Sequence, residues 1–169
     1  MYRILVIESS ATLRHVLVRM FTDQGYEVQS AVDMDSGLAK LRKDYALGKA
    51  YDVAVLGWPK YAVSATHQLL SEFENPDFCE LPLLIISEDA EPKVHAWTSR
   101  HKLSSQIYWN DFADALGIIE KLIKRDKIAK AKVSTNLPTD NEISILFVDD
   151  SRSVRAYYSR LLTQNGYNV

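Results

Sequence analysis

The chain has 169 residues and a net charge of −2, with 47% hydrophobic and 25% charged residues. Its length fits about one domain of ~100–200 residues, and its charge gives no general attraction to nucleic acid or to an anionic membrane. One cysteine excludes an internal disulfide framework. No apolar run reaches the ~18–20 residues of a membrane span, so we expect a cytoplasmic protein.

Apolar runs that are typical of buried strands alternate with amphipathic helical patterns. The predicted strands cover 3–7, 27–31, 51–57, 82–87 and 105–109. The predicted helices cover 11–24, a segment marked by Leu38, Leu41 and Tyr45, then 62–74, 91–101 and a long helix from Asp111. Gly25 and Gly48 follow the first two helices and are typical stop signals.

Five strands that alternate with five helices predict parallel pairing through right-handed crossovers. The nearly all-apolar strands agree, because a parallel sheet is covered on both faces. The predicted fold class is therefore α/β, a five-stranded parallel sheet doubly wound by five helices. Ligands bind such sheets at the carboxyl ends of the strands, and the residues found there are Glu8, Ser9, Gly57, Ser87, Trp109 and Asn110.

Residues 4–28 are repeated at 145–169 with a constant offset, and nine of the 25 positions are identical. We therefore expect one domain over residues 1–126, a helix extension and linker over 127–142, and the start of a second copy over 143–169. A piece as short as the second copy cannot bury enough apolar surface to fold alone. The chain is thus expected to be part of a longer protein.

The second copy carries an acidic pair, Asp149 and Asp150, at the end of its first predicted strand. Adjacent carboxylates at the mouth of a sheet repel each other unless a hard cation neutralises them, and Mg²⁺ is the usual one. A third carboxylate from a neighbouring strand would complete this site.

The order of these motifs resembles the receiver domain of two-component response regulators, which is a flavodoxin-like fold. ILFVDDS in the second copy looks like the acidic-pair motif of that family, and YDVAVLG looks like the strand that ends in the phosphoaccepting aspartate. PLLIIS looks like the strand that ends in a phosphoryl-binding Thr or Ser, and IYWNDF stands where the family has a strand ending in lysine and proline. The resemblance covers residues 1 to about 126 as a whole domain and 143–169 as a partial one.

The first copy departs from the family pattern at its reactive positions. Ser9 replaces one acidic residue beside Glu8, Gly57 stands in place of the phosphoaccepting aspartate, and Asn110 stands in place of the lysine. Ser87 is retained, and the aromatic switch position of the family falls on Ile107. We therefore predict a pseudo-receiver with no catalytic residue, no metal and no cofactor, whose vestigial site is formed by Glu8, Ser9, Gly57, Ser87 and Asn110.

Binding is the role that such a module retains. Trp97, Tyr108 and Trp109 are candidate interface residues, because they lie on or near the face formed by helix 91–101, strand 105–109 and the last helix. The resemblance implies self-association or docking of another signalling domain in a phosphorelay, followed by a second receiver. That receiver would use Mg²⁺ and a histidine kinase or phosphotransfer protein, ahead of an output domain such as a diguanylate cyclase. Trp58 either fills the space left by the missing aspartate or packs locally.

Two other functions are compatible with parts of the sequence. The serine-rich turn Glu8-Ser9-Ser10 could supply a non-standard phosphoryl acceptor, although serine is a poor acceptor without a base. The basic run over 121–132 could contact DNA, although it has no helix-turn-helix signature and no interleaved aromatic residues.

Overall fold

The structure is a computed structural model. It describes residues 1–59, 68, 70–135, 148, 158–159 and 162–163, with the backbone alone for 129–135. The chain divides into two compact units, Met1–Ile128 and Ala129–Val169. In the second unit, residues 158–159 and 162–163 are helical. Asp149 and Asp150, and most of the predicted helix 62–74, lie outside the described residues.

The elements of the first unit follow the predicted alternation of strands and helices. The strands are β1 (Arg3–Ile7), β2 (Glu27–Ala31), β3 (Val53–Gly57), β4 (Leu83–Ser87) and β5 (Ser104–Tyr108). The α-helices are α1 (Ala11–Asp23), α2 (Met34–Ala46), α3 (Pro92–Arg100) and α4 (Ala115–Thr135). Between β3 and β4, residues 68 and 70–72 are also helical.

All five strands pair in parallel, in the order β2-β1-β3-β4-β5. This order confirms the predicted fold class. In this order β1, β3 and β4 lie inside the sheet. From β1 the chain moves to one edge through β2 and then to the other edge through β3, β4 and β5, so the switch point of the topology lies between β1 and β3. Ligands bind at this point in doubly wound folds. Glu8, Gly57 and Ser87 lie at the carboxyl ends of these three inner strands.

The core lies on both faces of the sheet because alternate side chains of each strand point in opposite directions. Leu5 and Ile7 belong to a cluster with residues of α2 and α3, whereas Ile4 and Val6 belong to a cluster with residues of α1 and α4. On the first face, a Cβ at Gly37 would come within 2.8 Å of Ile7 Cγ1, so the glycine allows α2 to pack closely on β1.

Local signals set the helix ends. The Ser10 hydroxyl accepts a hydrogen bond from the Leu13 N–H, which caps α1, and Asp33 forms a capping box with Ser36 at the start of α2. Gly25 has φ +82° and Gly48 has φ +69°. Each is therefore the left-handed residue that follows a helix, a conformation that glycine adopts at little steric cost. Both predicted stop signals are confirmed.

The last helix begins later than predicted. A 3₁₀ helix covers Trp109–Asp114, and Asp111 has φ −105° and ψ 16°, so the α-helix starts at Ala115 rather than near Asp111. No helix in the described part of the chain has both the length and the apolarity needed to cross a bilayer.

Candidate functional site

The Glu8 carboxylate occupies the space beside Gly57. Glu8 follows β1 directly, and only 5% of its surface is exposed. A Cβ added to Gly57 would overlap Glu8 Oε2 and come within 2.7 Å of Glu8 Cδ. The volume that a side chain at position 57 would need is therefore taken by a glutamate from the neighbouring strand.

Local donors hold this carboxylate in place. The Ser10 N–H donates to Glu8 Oε1 at 2.6 Å, and the Ser9 hydroxyl lies 3.5 Å from the same oxygen. Arg14 donates to the backbone carbonyl oxygens of Glu8 at 2.6 Å and Ser9 at 3.3 Å. Burial raises the pKa of Glu8 in spite of these donors and of the positive charge of Arg14.

An open cavity of about 560 Å³ lies beside this pair at the carboxyl ends of the strands. Its lining residues are Glu8, Ser9, Leu13, Trp58, Pro59, Glu88, Trp109, Asn110 and Phe112. The structure thus brings together four of the residues predicted for the vestigial site: Glu8, Ser9 and Asn110 line the cavity, and Gly57 lies against Glu8. Ser9 and Asn110 are exposed, whereas Glu8 is buried.

Ser87 has a different environment from the other predicted residues. It is 1% exposed, and its hydroxyl accepts a hydrogen bond from Gln106 Nε2 at 3.0 Å. The sequence analysis did not identify Gln106 and assigned the switch position to Ile107. Ile107 packs against the core cluster formed with α1 and α4. One feature of the sequence could have indicated this hydrogen bond. Tyr108 is the register partner of Ser87, and Gln106, two residues before it, carries a long polar side chain on the same face of the strand.

Trp58 and Trp97 are buried side chains. Trp58 is 6% exposed and belongs to the α2/α3 core cluster, so it packs in the core while Glu8 takes the vacated place. Its Nε1 is buried without a hydrogen-bond partner in the described part of the chain. Trp97, one of the predicted interface residues, is also 6% exposed, donates to Glu74 at 3.1 Å and stacks on His101, so little of its surface is available to a partner.

Exposed aromatic surface lies instead at the end of β5. Tyr108 is 42% exposed and Phe112 is 36% exposed, and the half-buried Trp109 lies between them in the chain. Two of the three predicted interface residues, Tyr108 and Trp109, are therefore accessible to a partner.

The donors at this site do not fit Mg²⁺. The ion needs several oxygen ligands in octahedral geometry, usually one or two carboxylates and retained waters. Here Gly57 has no side chain to supply a ligand, Ser9 is neutral, and Glu8 Oε1 already accepts a hydrogen bond from a backbone N–H. Among the described residues, no group of three His, Cys, Asp or Glu side chains is placed to hold a metal ion.

Comparison with known proteins identifies the fold. No protein-family model and no curated protein sequence matches the chain. A response regulator receiver domain protein from Clostridium thermocellum superposes with a TM-score of 0.62 at 18% identity, covering 76% of this chain and 99% of its own. The first unit has the fold of a receiver domain.

Other solved structures also match the chain. The response regulator TrrA from Thermotoga maritima, solved with Mg²⁺ and beryllofluoride, matches with a TM-score of 0.56 at 18% identity over 72% of this chain and 99% of its own. NtrX from Brucella abortus, solved with ATP, matches with a TM-score of 0.66 at 20% identity over 95% of this chain and 34% of its own. At these identities the receiver fold is shared, and the side chains at the strand ends decide the chemistry.

Proposed function

We propose that the first unit is a receiver module of response-regulator signalling that cannot accept a phosphoryl group and acts by dimerisation or partner docking. One observation carries the proposal: position 57 has no side chain, and the Glu8 carboxylate fills the space where an acceptor would stand. Transfer to a carboxylate needs a free nucleophile and cations that neutralise the developing charge. Gly57 offers no nucleophile, and Asn110 offers no charge.

Phosphoryl analogues test the proposal directly. The full chain is incubated with acetyl phosphate and Mg²⁺, or with beryllofluoride and Mg²⁺, and its intact mass and thermal midpoint are recorded. We expect no mass gain and no Mg²⁺-dependent stabilisation, whereas TrrA, which was solved with Mg²⁺ and beryllofluoride, serves as the positive control. A gain of one phosphoryl group, or a clear rise in the midpoint, would show that an alternative acceptor works.

The docking surface is proposed at the carboxyl end of β5. Tyr108 and Phe112 expose aromatic surface beside Trp109, and aromatic residues are common anchors in protein interfaces. The strand itself is a sheet edge, paired only with β4 in the described sheet. A second copy of the chain is the partner that the proposal favours, and a stable dimer would bury at least ~1,000 Å² in total.

Light scattering over a range of concentrations tests the dimer. We expect Tyr108→Glu to weaken association, because a charge at the centre of an aromatic contact must be desolvated. Val16→Glu is the matched control, since Val16 is a similarly exposed apolar residue on α1. A monomer at every concentration, or a dimer broken only by the α1 substitution, would contradict the proposed surface.

The tandem arrangement belongs to the same proposal. The acidic pair in residues 143–169 supports a second receiver that would bind Mg²⁺ and take a phosphoryl group from a histidine kinase or phosphotransfer protein in the cytoplasm. In that arrangement the first unit is not an enzyme and sets the geometry of the assembly. The output that this assembly would serve is an enzymatic domain such as a diguanylate cyclase.

A further inference from the structure

The cavity beside Glu8 is lined by both aromatic and acidic residues. Three aromatic side chains line it, from Trp58, Trp109 and Phe112, together with the carboxylates of Glu8 and Glu88. No Lys, Arg or His is among its described lining residues. Arg14, the positive charge closest to Glu8 in sequence, donates to the carbonyl oxygens of Glu8 and Ser9.

Aromatic faces and carboxylates attract the same class of ligand. The face of an aromatic ring carries negative electrostatic potential, and an ammonium group placed over it is stabilised by cation–π attraction. A carboxylate in a partly desolvated cavity adds a stronger attraction for the same charge. We propose that this cavity binds a small organic ammonium ion, with its cationic head between the aromatic walls and the Glu8 carboxylate.

An organic cation suits these walls better than a metal ion does. Metal ions such as Mg²⁺ need oxygen ligands in place of their hydration shell, and aromatic rings supply none. An alkylated ammonium is weakly hydrated and also gains from burying its methyl groups against apolar surface. The cavity volume of about 560 Å³ lies in the range typical of small-molecule sites.

Choline is the appropriate probe for this cavity. It is a small quaternary ammonium ion whose cationic head can contact aromatic rings and a carboxylate at the same time.

Calorimetric titration of the full chain with choline tests the inference. We expect saturable binding with a Kd of about 1 mM or tighter, accompanied by a change in tryptophan fluorescence. The neutral isostere of choline, with carbon in place of nitrogen, separates charge recognition from simple apolar filling. We expect it to bind at least about fivefold more weakly, the scale of one cation–π contact.

Variants locate the site. Glu8→Gln and Phe112→Leu are each expected to weaken choline binding, by about tenfold and about fivefold. Glu88→Gln, at an exposed position, provides the same charge test if the buried variant fails to fold. Glu120→Gln, which lines a different cavity with Tyr2 and Tyr26, is the matched control and should bind choline normally.

Three results would overturn the inference: no saturable binding of choline, equal binding of the neutral isostere, or unchanged affinity in both the carboxylate and Phe112 variants. A lysine amide that binds where choline does not would assign the cavity to a cationic side chain of a protein instead. None of these results depends on phosphoryl uptake. Trp109 and Phe112 also belong to the proposed docking surface, so light scattering at the titration concentration, with and without choline, shows whether ligand binding and dimerisation compete. The inference and the proposed function can therefore still fail separately.

Discussion

Replacing Gly57 with alanine should destabilise the first unit through Glu8. The added Cβ would overlap Glu8 Oε2, so the carboxylate must leave its place beside β3. The backbone at Gly57 is not the obstacle, because its φ is not positive. The cost should therefore depend on the glutamate side chain and not on strain in the strand.

The magnitude follows from what Glu8 loses. Overpacking of a buried site costs about 1–3 kcal/mol, and loss of the Ser10 N–H bond to the carboxylate costs about 1.5–3 kcal/mol. Rehydration of the displaced carboxylate in the open cavity offsets part of this destabilisation, since burial opposes its ionisation. Alanine also favours the strand over glycine by about 0.5–1 kcal/mol. We expect a net loss of about 2 kcal/mol.

A double-mutant cycle isolates the contact. In a Glu8→Ala background the space is free, so Gly57→Ala should be neutral or slightly stabilising, which gives a coupling energy of about 2 kcal/mol. Urea unfolding followed by tryptophan fluorescence measures this, because all three tryptophans, Trp58, Trp97 and Trp109, belong to the first unit.

Gly117→Ala provides the matched control. Gly117 lies in α4 with nothing within 4 Å of an added Cβ, so alanine there should stabilise the unit by about 0.5–1 kcal/mol in either background. A Gly57→Ala cost below about 0.5 kcal/mol, or one that is unchanged without the Glu8 side chain, would refute the reasoning.

Two further predictions concern titratable groups. Burial raises the pKa of Glu8 above its ordinary value, so the folded state binds this proton more tightly and the wild-type protein loses stability as pH rises above 4.5. Glu8→Gln has no such proton, so its free energy of unfolding, measured by urea titration, should rise relative to that of the wild type between about pH 4 and pH 7. A difference between the two proteins that does not change with pH would contradict this. Tyr51→Phe removes a 2.5 Å hydrogen bond to Asp44 and should cost about 1–3 kcal/mol near neutral pH. That hydrogen bond lowers the pKa of Asp44, so the cost should shrink as acid protonates the carboxylate, and a cost unchanged in acid would exclude this origin.

The sequence predicts the sheet well because the inner strands are simple. Strands β1, β3 and β4 are runs of apolar residues buried on both faces, and only a parallel sheet covered by helices hides such runs. Gly25 and Gly48 identify helix ends because glycine adopts positive φ at little cost. These signals are local, so they can be read without knowing which segments meet.

The details of the site depend on contacts that a local pattern does not contain. The Glu8–Gly57 contact requires the pairing register of β1 with β3, in which Ile7 lies opposite Leu56. Once that register is known, a glutamate beside a glycine at adjacent strand ends suggests that one fills the space of the other. The Gln106–Ser87 hydrogen bond was missed for a similar reason, because a shift of one residue in β5 exchanges the faces of the sheet.

The strand order also sets when the site can form during folding. The pairing of β1 with β3 joins Ile4 to Val53, a larger separation along the chain than in the other pairings of the sheet. Closing the longest loop carries the largest entropy cost, and non-local pairings slow folding. We expect Glu8 to remain hydrated and free to ionise until this late step, when the arrival of Gly57 closes the last wall around its carboxylate.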